Sequence, residues 1–267
     1  MKSKRFNLRI YLSLIRMTLR SMMQYRADFW MSLVGVVILN SANLVQLGVL
    51  SWRFETIGNW GVGDLMVLYG LCMICWSLYS IFFKNLSNLQ TEIVTGAFDK
   101  YLLRPVSPFV QLVGGEIRYT GLCDTIMGAL LVASGLAALG LRWTPLDFLW
   151  LFVFIVSGGV IIVCIQFIVA CVAFWSTKAS ALRSIVTHIY LLIQKYPITI
   201  FGTAFRVLVT AVLPVAFLNF YPAAMLLRKP DAPRWLCMLS PAVALLLVFL
   251  SGRMWKRGLR RYNSSGS

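Results

Sequence analysis

Charge and catalytic side chains are scarce in this chain. Of its 267 residues only 13% are charged, with three glutamates and one histidine, His188. A soluble domain carries roughly a quarter charged residues, so an ordinary soluble fold is excluded. No H-E-x-x-H or G-x-S-x-G run is present, which leaves zinc and serine hydrolases without their constellation. There is also no G-x-x-x-x-G-K-[S/T] run, hence no phosphate-cradling loop. His188 has no evident catalytic partner and reads as an interfacial polar residue. Six cysteines are too scattered for a disulfide framework. Cys72 and Cys75 have the spacing of a metal or redox pair, but no second pair accompanies them. In an apolar helix such thiols are small packing residues. No metal and no cofactor is expected on this chain.

Apolar residues are abundant instead: 59% of the chain is hydrophobic and its mean hydropathy is +0.78. A bilayer crossing takes about 20 predominantly apolar residues, and several such runs are present. The expected architecture is an all-α polytopic membrane protein, one transmembrane domain over residues 1–267. Its six spans fall at 29–50, 62–83, 119–139, 148–174, 198–212 and 236–254. Residues 4–26 form a basic amphipathic stretch of the kind that lies in the membrane interface. Pro214 and Pro222 frame a segment over 215–227 too short to cross.

The net charge of +16 would ordinarily point to nucleic acid. Its distribution points to the membrane, because the basic residues crowd at the chain ends beside apolar runs. Eighteen Lys and Arg fall on the proposed inner side and five on the outer. That asymmetry puts both termini in the cytoplasm, with Arg228, Lys229 and Arg234 as a local exception. Lys195 is counted among the inner cations, in a polar passage that breaks at Pro197.

Within the spans, polar side chains need partners. Asn40, Asn43 and Gln46 in the first span either line a translocation path or tie helices together. Asp124 in the third span and Arg206 in the fifth each carry charge into hydrocarbon, and they are expected to pair with each other or across a dimer interface. Gly121, Thr125, Ala129, Ala133 and Ala137 form a small-residue stripe for close helix packing. Ser157-Gly158-Gly159 allows a bend in the fourth span.

The long polar passage, residues 84–111, has its own punctuation. Ser87 with Gln90 is a capping-box start, and Leu86, Leu89 and Ile93 follow on one helical face. Gly96 suits a left-handed helix stop. Arg104 before Pro105 is pushed towards an extended backbone, and Ser107-Pro108 begins another helix.

The run G-A-F-D-K-Y-L-L-R-P-V-S-P-F at 96–109, with L-P-V-A-F-L-N-F-Y-P-A at 213–223, resembles the small six-helix permeases of type-2 ATP-binding-cassette (ABC) exporters. The resemblance implies that 84–111 holds a cytoplasmic coupling helix resting on a separate ATPase subunit. An interfacial anchor of the bundle is the bland alternative. Leu86, Leu89, Ile93 and Phe98 would then meet the ATPase, with Glu92, Asp99 and Arg104 as polar rim. The segment before the last span would be re-entrant on the outer side. The implied partners are ABC ATPase subunits that bind ATP and Mg, a second permease, identical or paralogous, and membrane lipid. The implied location is a bacterial inner (plasma) membrane. A self-sufficient secondary transporter or channel is the rival, although the two halves show no inverted repeat.

Overall fold

The computed structural model describes residues 26–53, 56–114, 118, 120–176 and 179–262 of the chain. The expected interfacial helix over 4–26 falls almost wholly outside these residues. Helix α1 (Arg26–Arg53) leads to a tight turn, Ile57–Trp60, in which Gly58 and Asn59 take φ of 57° and 67°. Two consecutive positive φ values are the pattern that reverses a chain in two residues. Helix α2 (Val62–Phe82) follows, then a 3-10 turn (Lys84–Asn88) and three short helices: α3 (Leu89–Val94), α4 (Asp99–Leu103) and α5 (Pro108–Val113). Next come α6 (Thr120–Leu139), α7 (Pro145–Cys171), α8 (Ala179–Ile193), α9 (Thr203–Val207), α10 (Phe220–Leu226), α11 (Arg234–Cys237) and α12 (Ser240–Arg261). Among the described residues there is no extended strand.

Among the described residues, three helical stretches are long and apolar enough to cross a bilayer: Val62–Phe82, Thr120–Leu139 and Pro145–Phe174. A fourth is reached if Thr203–Val212 and Val215–Leu226 are one span, but they are bent by 76°. The straight fifth span expected at 198–212 is therefore absent. That stretch consists of a 3-10 turn, α9 and a π-turn over Leu208–Val212, and it stops before Pro214, which cannot donate a helical hydrogen bond. The last helix is also broken: α11 ends at Cys237 and α12 restarts at Ser240 with Pro241 in its first turn.

The centre of the bundle is the antiparallel pair α2 and α6. A Cβ on Gly70 would stand 2.6 Å from the Gly128 carbonyl oxygen, and one on Gly135 would stand 2.6 Å from that of Gly63. The close seam thus runs through Gly121, Gly128 and Gly135, not through the expected every-fourth stripe. Ala129, Ala133 and Ala137 are exposed. A step of four residues turns about 40° around a helix, whereas a step of seven drifts only about 20°, so only the sevenfold row stays on one partner. Helix α7 packs on α2 in the same manner and runs unbroken through Ser157-Gly158-Gly159. Its glycines admit the Cys75 thiol and Leu78 rather than a bend. Cys75 Sγ in turn lies 3.6 Å from the Leu218 carbonyl oxygen.

The bent segment sits deep. Val215, Ala216, Asn219 and Ala223 are fully buried. Asn219 caps α10 through Phe220 N at 2.8 Å and donates to the Ile193 carbonyl at 2.8 Å. Both flanks of the segment lie at one end of the bundle, opposite the 84–111 loop. Thr199 and Ile200 touch the Gly58 turn, and Lys229 Nζ bonds Asn59 O at 3.2 Å.

At that far end charges are paired. Lys229 Nζ is 2.5 Å from Asp64 Oδ2, a side chain only 5% exposed, and Arg228 is 3.8 Å from Asp147. Trp60 is fully buried, with its indole N–H on Asp231 at 2.8 Å. Removing one partner of a buried ion pair typically costs 3–5 kcal/mol because the other charge is left without compensation. Lys229→Met should therefore destabilise the folded protein by about 3 kcal/mol, and Lys229→Met with Asp64→Asn should recover most of that loss. Detergent-denaturation midpoints of the two variants check both halves of this expectation.

Candidate functional site

Two groups of polar residues stand out, one in the loop and one along α1. In the loop, Gly96 takes φ of 74° and stops α3, Arg104 is extended with ψ of 148°, and Pro108 opens α5. Ser87 does not form a capping box; its hydroxyl donates back to Lys84 O at 2.7 Å. The apolar face of the loop is turned inward. Leu86, Leu89 and Phe98 are completely buried and Ile93 is half-buried. Phe98 sits in an aromatic cluster with Phe174, Trp255 and Tyr262, its ring 5.0 Å from Tyr262 and 5.7 Å from Phe174. These rings come from the end of α7 and from α12, elements about 75 and 160 residues away in sequence. Of the residues expected to meet the ATPase, Leu86, Leu89 and Phe98 are therefore packed into the chain's own core, and Ile93 keeps part of its surface exposed.

The polar rim residues are also engaged. Glu92 pairs with Lys100 at 2.8 Å and accepts from the Tyr101 hydroxyl at 3.2 Å. Asp99 accepts from the Tyr262 hydroxyl at 2.9 Å. Burial, then the bond to Asp99, pushes the Tyr262 phenol up to about 12, so this strap between loop and C-terminal helix stays protonated at physiological pH. Arg104 is exposed, and so are Val94 and Leu103, at 55% and 86%. Those three belong to the outward surface of the loop.

Along α1, Asn40 donates to Asp124 on α6 at 2.9 Å. Asn43 Oδ1 and Gln46 Oε1 both accept from Lys195 Nζ, at 2.8 and 2.5 Å. Tyr69 of α2 lies beside Asn43. The three amides, three residues apart, therefore make one polar row linking α1 to α6 and to the end of α8.

Asp124 and Arg206 do not meet within the chain. Asp124 is near the loop end, four residues into α6, whereas Arg206 belongs to the far end. Its guanidinium donates to Phe201 O at 2.9 Å and to Thr199 O. The expected pairing therefore does not form within the chain, because the 203–226 segment lies toward the end of the bundle opposite Asp124.

Lys195, which the sequence places in the polar passage before Pro197, joins this row through Asn43 and Gln46. Two i,i+3 amides on α1 were its only visible signal. His188 is exposed and bonds Ser184 O at 2.7 Å. On the other side of α2 from Tyr69, an apolar groove of about 1570 Å³ runs between α2, α7 and α12, with Phe109, Val160 and Trp255 among its walls and Lys256 at the loop end.

Residues 37–266 match the family model described as ABC-2 family transporter protein. The match covers most of the chain, which therefore belongs to that family. It is a multi-pass membrane protein of a permease family whose members are typically non-catalytic and act with ABC ATPase subunits. No curated protein and no solved structure matches the chain significantly.

Proposed function

We propose that this chain is the membrane-spanning subunit of an ATP-driven exporter, working as a dimer with separate ATPase subunits. The observation that carries the reading is the built loop of residues 84–111. It is a rigid, aromatic-filled element fixed to α7 and α12, on a chain whose family works with ABC ATPases. A force applied at α3 and α4 reaches two long helices through Phe98, Phe174, Trp255 and the Tyr262–Asp99 bond. Coupling through packed side chains of this kind needs no flexible lever.

Six crossings account for the fold best: α1, α2, α6, α7, residues 179–200 and α12. Each connects the loop end to the far end, and the 203–226 segment is then re-entrant. Crossing α8 is short, and the 3-10 turn at Ile198–Ile200 completes it. In this arrangement Lys84, Arg118 and Arg183 cluster at the loop end. Burial and the two guanidiniums hold the Lys84 ammonium below its ordinary range. The far-end cations Arg228 and Lys229 are offset by Asp147 and Asp64. The excess of positive charge at the loop end supports a cytoplasmic loop and cytoplasmic termini, in a bacterial inner membrane. ATP and Mg are bound by the partner, and hydrolysis occurs there.

Gentle-detergent affinity purification from the host, followed by mass spectrometry, tests the reading. An ATPase with a phosphate-cradling loop should co-purify. Val94→Asp with Leu103→Asp should release it at least tenfold while leaving the permease monodisperse, because both side chains are exposed. A permease that moves solute in liposomes without any ATPase overturns the proposal in favour of a secondary transporter.

A further inference from the structure

Lys195 is placed where a lysine is costly. Its backbone lies near the far end, two residues before Pro197, whose ring is 3.9 Å from a Cβ built on Gly58. Its ammonium, however, is met by Gln46 and Asn43, seven and ten residues before the end of α1. At the helical rise these lie about 10–15 Å inside that end. Lysines at span ends ordinarily extend their ammonium out to water; this one reaches inward. A cation held away from water in this way is costly.

Its partners in the chain compensate only in part. Both are neutral amide oxygens, and among the described residues no carboxylate lies within ion-pair reach of Lys195. Asp124, the acid on the same polar row, is held by Asn40. The ammonium has three donors, of which the amides take two. The open side of the cradle faces outward from the bundle: Gln46 is exposed, and its neighbours Val45 and Val49 are 64% and 58% exposed. The exposed Gln46 side chain carries N–H donors on the same amide as the oxygen that holds the ammonium, so an oxyanion on that side would meet a cation and amide donors together. Charge-assisted bonds of that type are the stronger ones.

We propose that Lys195, Asn43 and Gln46 recognise the anionic headgroup (carboxylate, sulfonate or phosphate) of an amphiphilic cargo inside the bilayer. The inference rests on the exporter reading, and it names the cargo class for that path. Bulk phospholipid is not the ligand, because its phosphate stays at the interface, on the order of 15 Å from the bilayer centre.

The test uses the full chain in phosphatidylcholine nanodiscs and two fluorescent probes of equal chain length, a dansyl fatty acid and a dansyl alkylamine. The wild type should bind the acid at least tenfold more tightly. Lys195→Arg should keep that preference, Lys195→Met should abolish it, and Lys195→Glu should favour the amine. Equal binding of the two probes by the wild type, or a preference that survives Lys195→Met, overturns the proposal. Displacement of the acid by phosphatidylglycerol in the disc also overturns it, by making the site a resident-lipid site. No ATPase enters the measurement. Failure here with ATPase recovered in the purification removes the cargo class alone, whereas selective binding of the acid by a chain from which no ATPase co-purifies removes the exporter reading.

Discussion

Replacing Gly128 with valine is expected to remove most folded protein from the membrane. Any Cβ at this position would stand 2.8 Å from the Gly70 carbonyl oxygen and 2.8 Å from the Ile74 side chain. Backbone cannot rotate away as a flexible side chain can, so α2 and α6 would have to separate. Overpacking ordinarily costs 1–3 kcal/mol, and this seam repeats at Gly63–Gly135 and at Gly121 beside Ile81. A shift at its middle disturbs all three contacts, and the loss should reach at least about 3 kcal/mol. Gly252→Ala in α12 is the control, because nothing lies within 4 Å of its Cβ position. That substitution should be neutral or stabilise by up to about 1 kcal/mol through helix propensity. Denaturation midpoints and the monodisperse yield of both variants decide the matter; a Gly128→Val protein as stable as the wild type would show that the seam is not the organising contact.

Leu89→Asp should be the second large effect, and it should look different from the exposed substitutions at Val94 and Leu103. Leu89 has no exposure and lies among Leu86, Phe98, Phe174 and Trp255. A carboxylate introduced there would be buried among apolar side chains and must either take up a proton or open the cluster. Loss of a buried leucine alone costs 2–5 kcal/mol, so Leu89→Asp should unseat the loop from α7 and α12 and lower the thermal midpoint. Val94→Asp should leave that midpoint within about 0.5 kcal/mol of wild type, as surface changes do. Limited proteolysis after Lys100 separates the two outcomes, since only the unseated loop becomes a rapid cleavage site. Resistance of the Leu89→Asp loop to protease would refute the internal cluster as its anchor.

Much of the local structure was legible in the sequence. Gly96 as a helix stop, Arg104 as an extended residue and Pro108 as a helix start follow from backbone sterics alone, which act within a few residues. The long apolar runs likewise announced α2, α6 and α7, because crossing a bilayer is a one-dimensional requirement of length and apolarity. Membership in the ABC-2 family was likewise visible in the loop and in the passage at 213–223.

Which way an amphipathic face turns was not legible. Leu86, Leu89 and Phe98 form the same stripe whether they meet an ATPase or their own chain, and only the arrival of Phe174, Trp255 and Tyr262 from distant segments decides it. The glycine seam shows the same limit. An every-fourth row and an every-seventh row were both present in α6, and the antiparallel register with Gly63 and Gly70 selected the second. Depth in the membrane was the third quantity left open. Arg206 and Lys195 lie elsewhere than their sequence runs suggest because the helix ending at Ile193 breaks and the chain folds back through 203–226, with Pro214 ending one arm and Asn219 buried against Ile193. Sequence by itself determined the class of protein, its apolar helices and its turns, since these depend on composition and short-range sterics. Tertiary structure alone decided which polar groups share the interior, because desolvation is relieved only by partners that packing brings within hydrogen-bond reach.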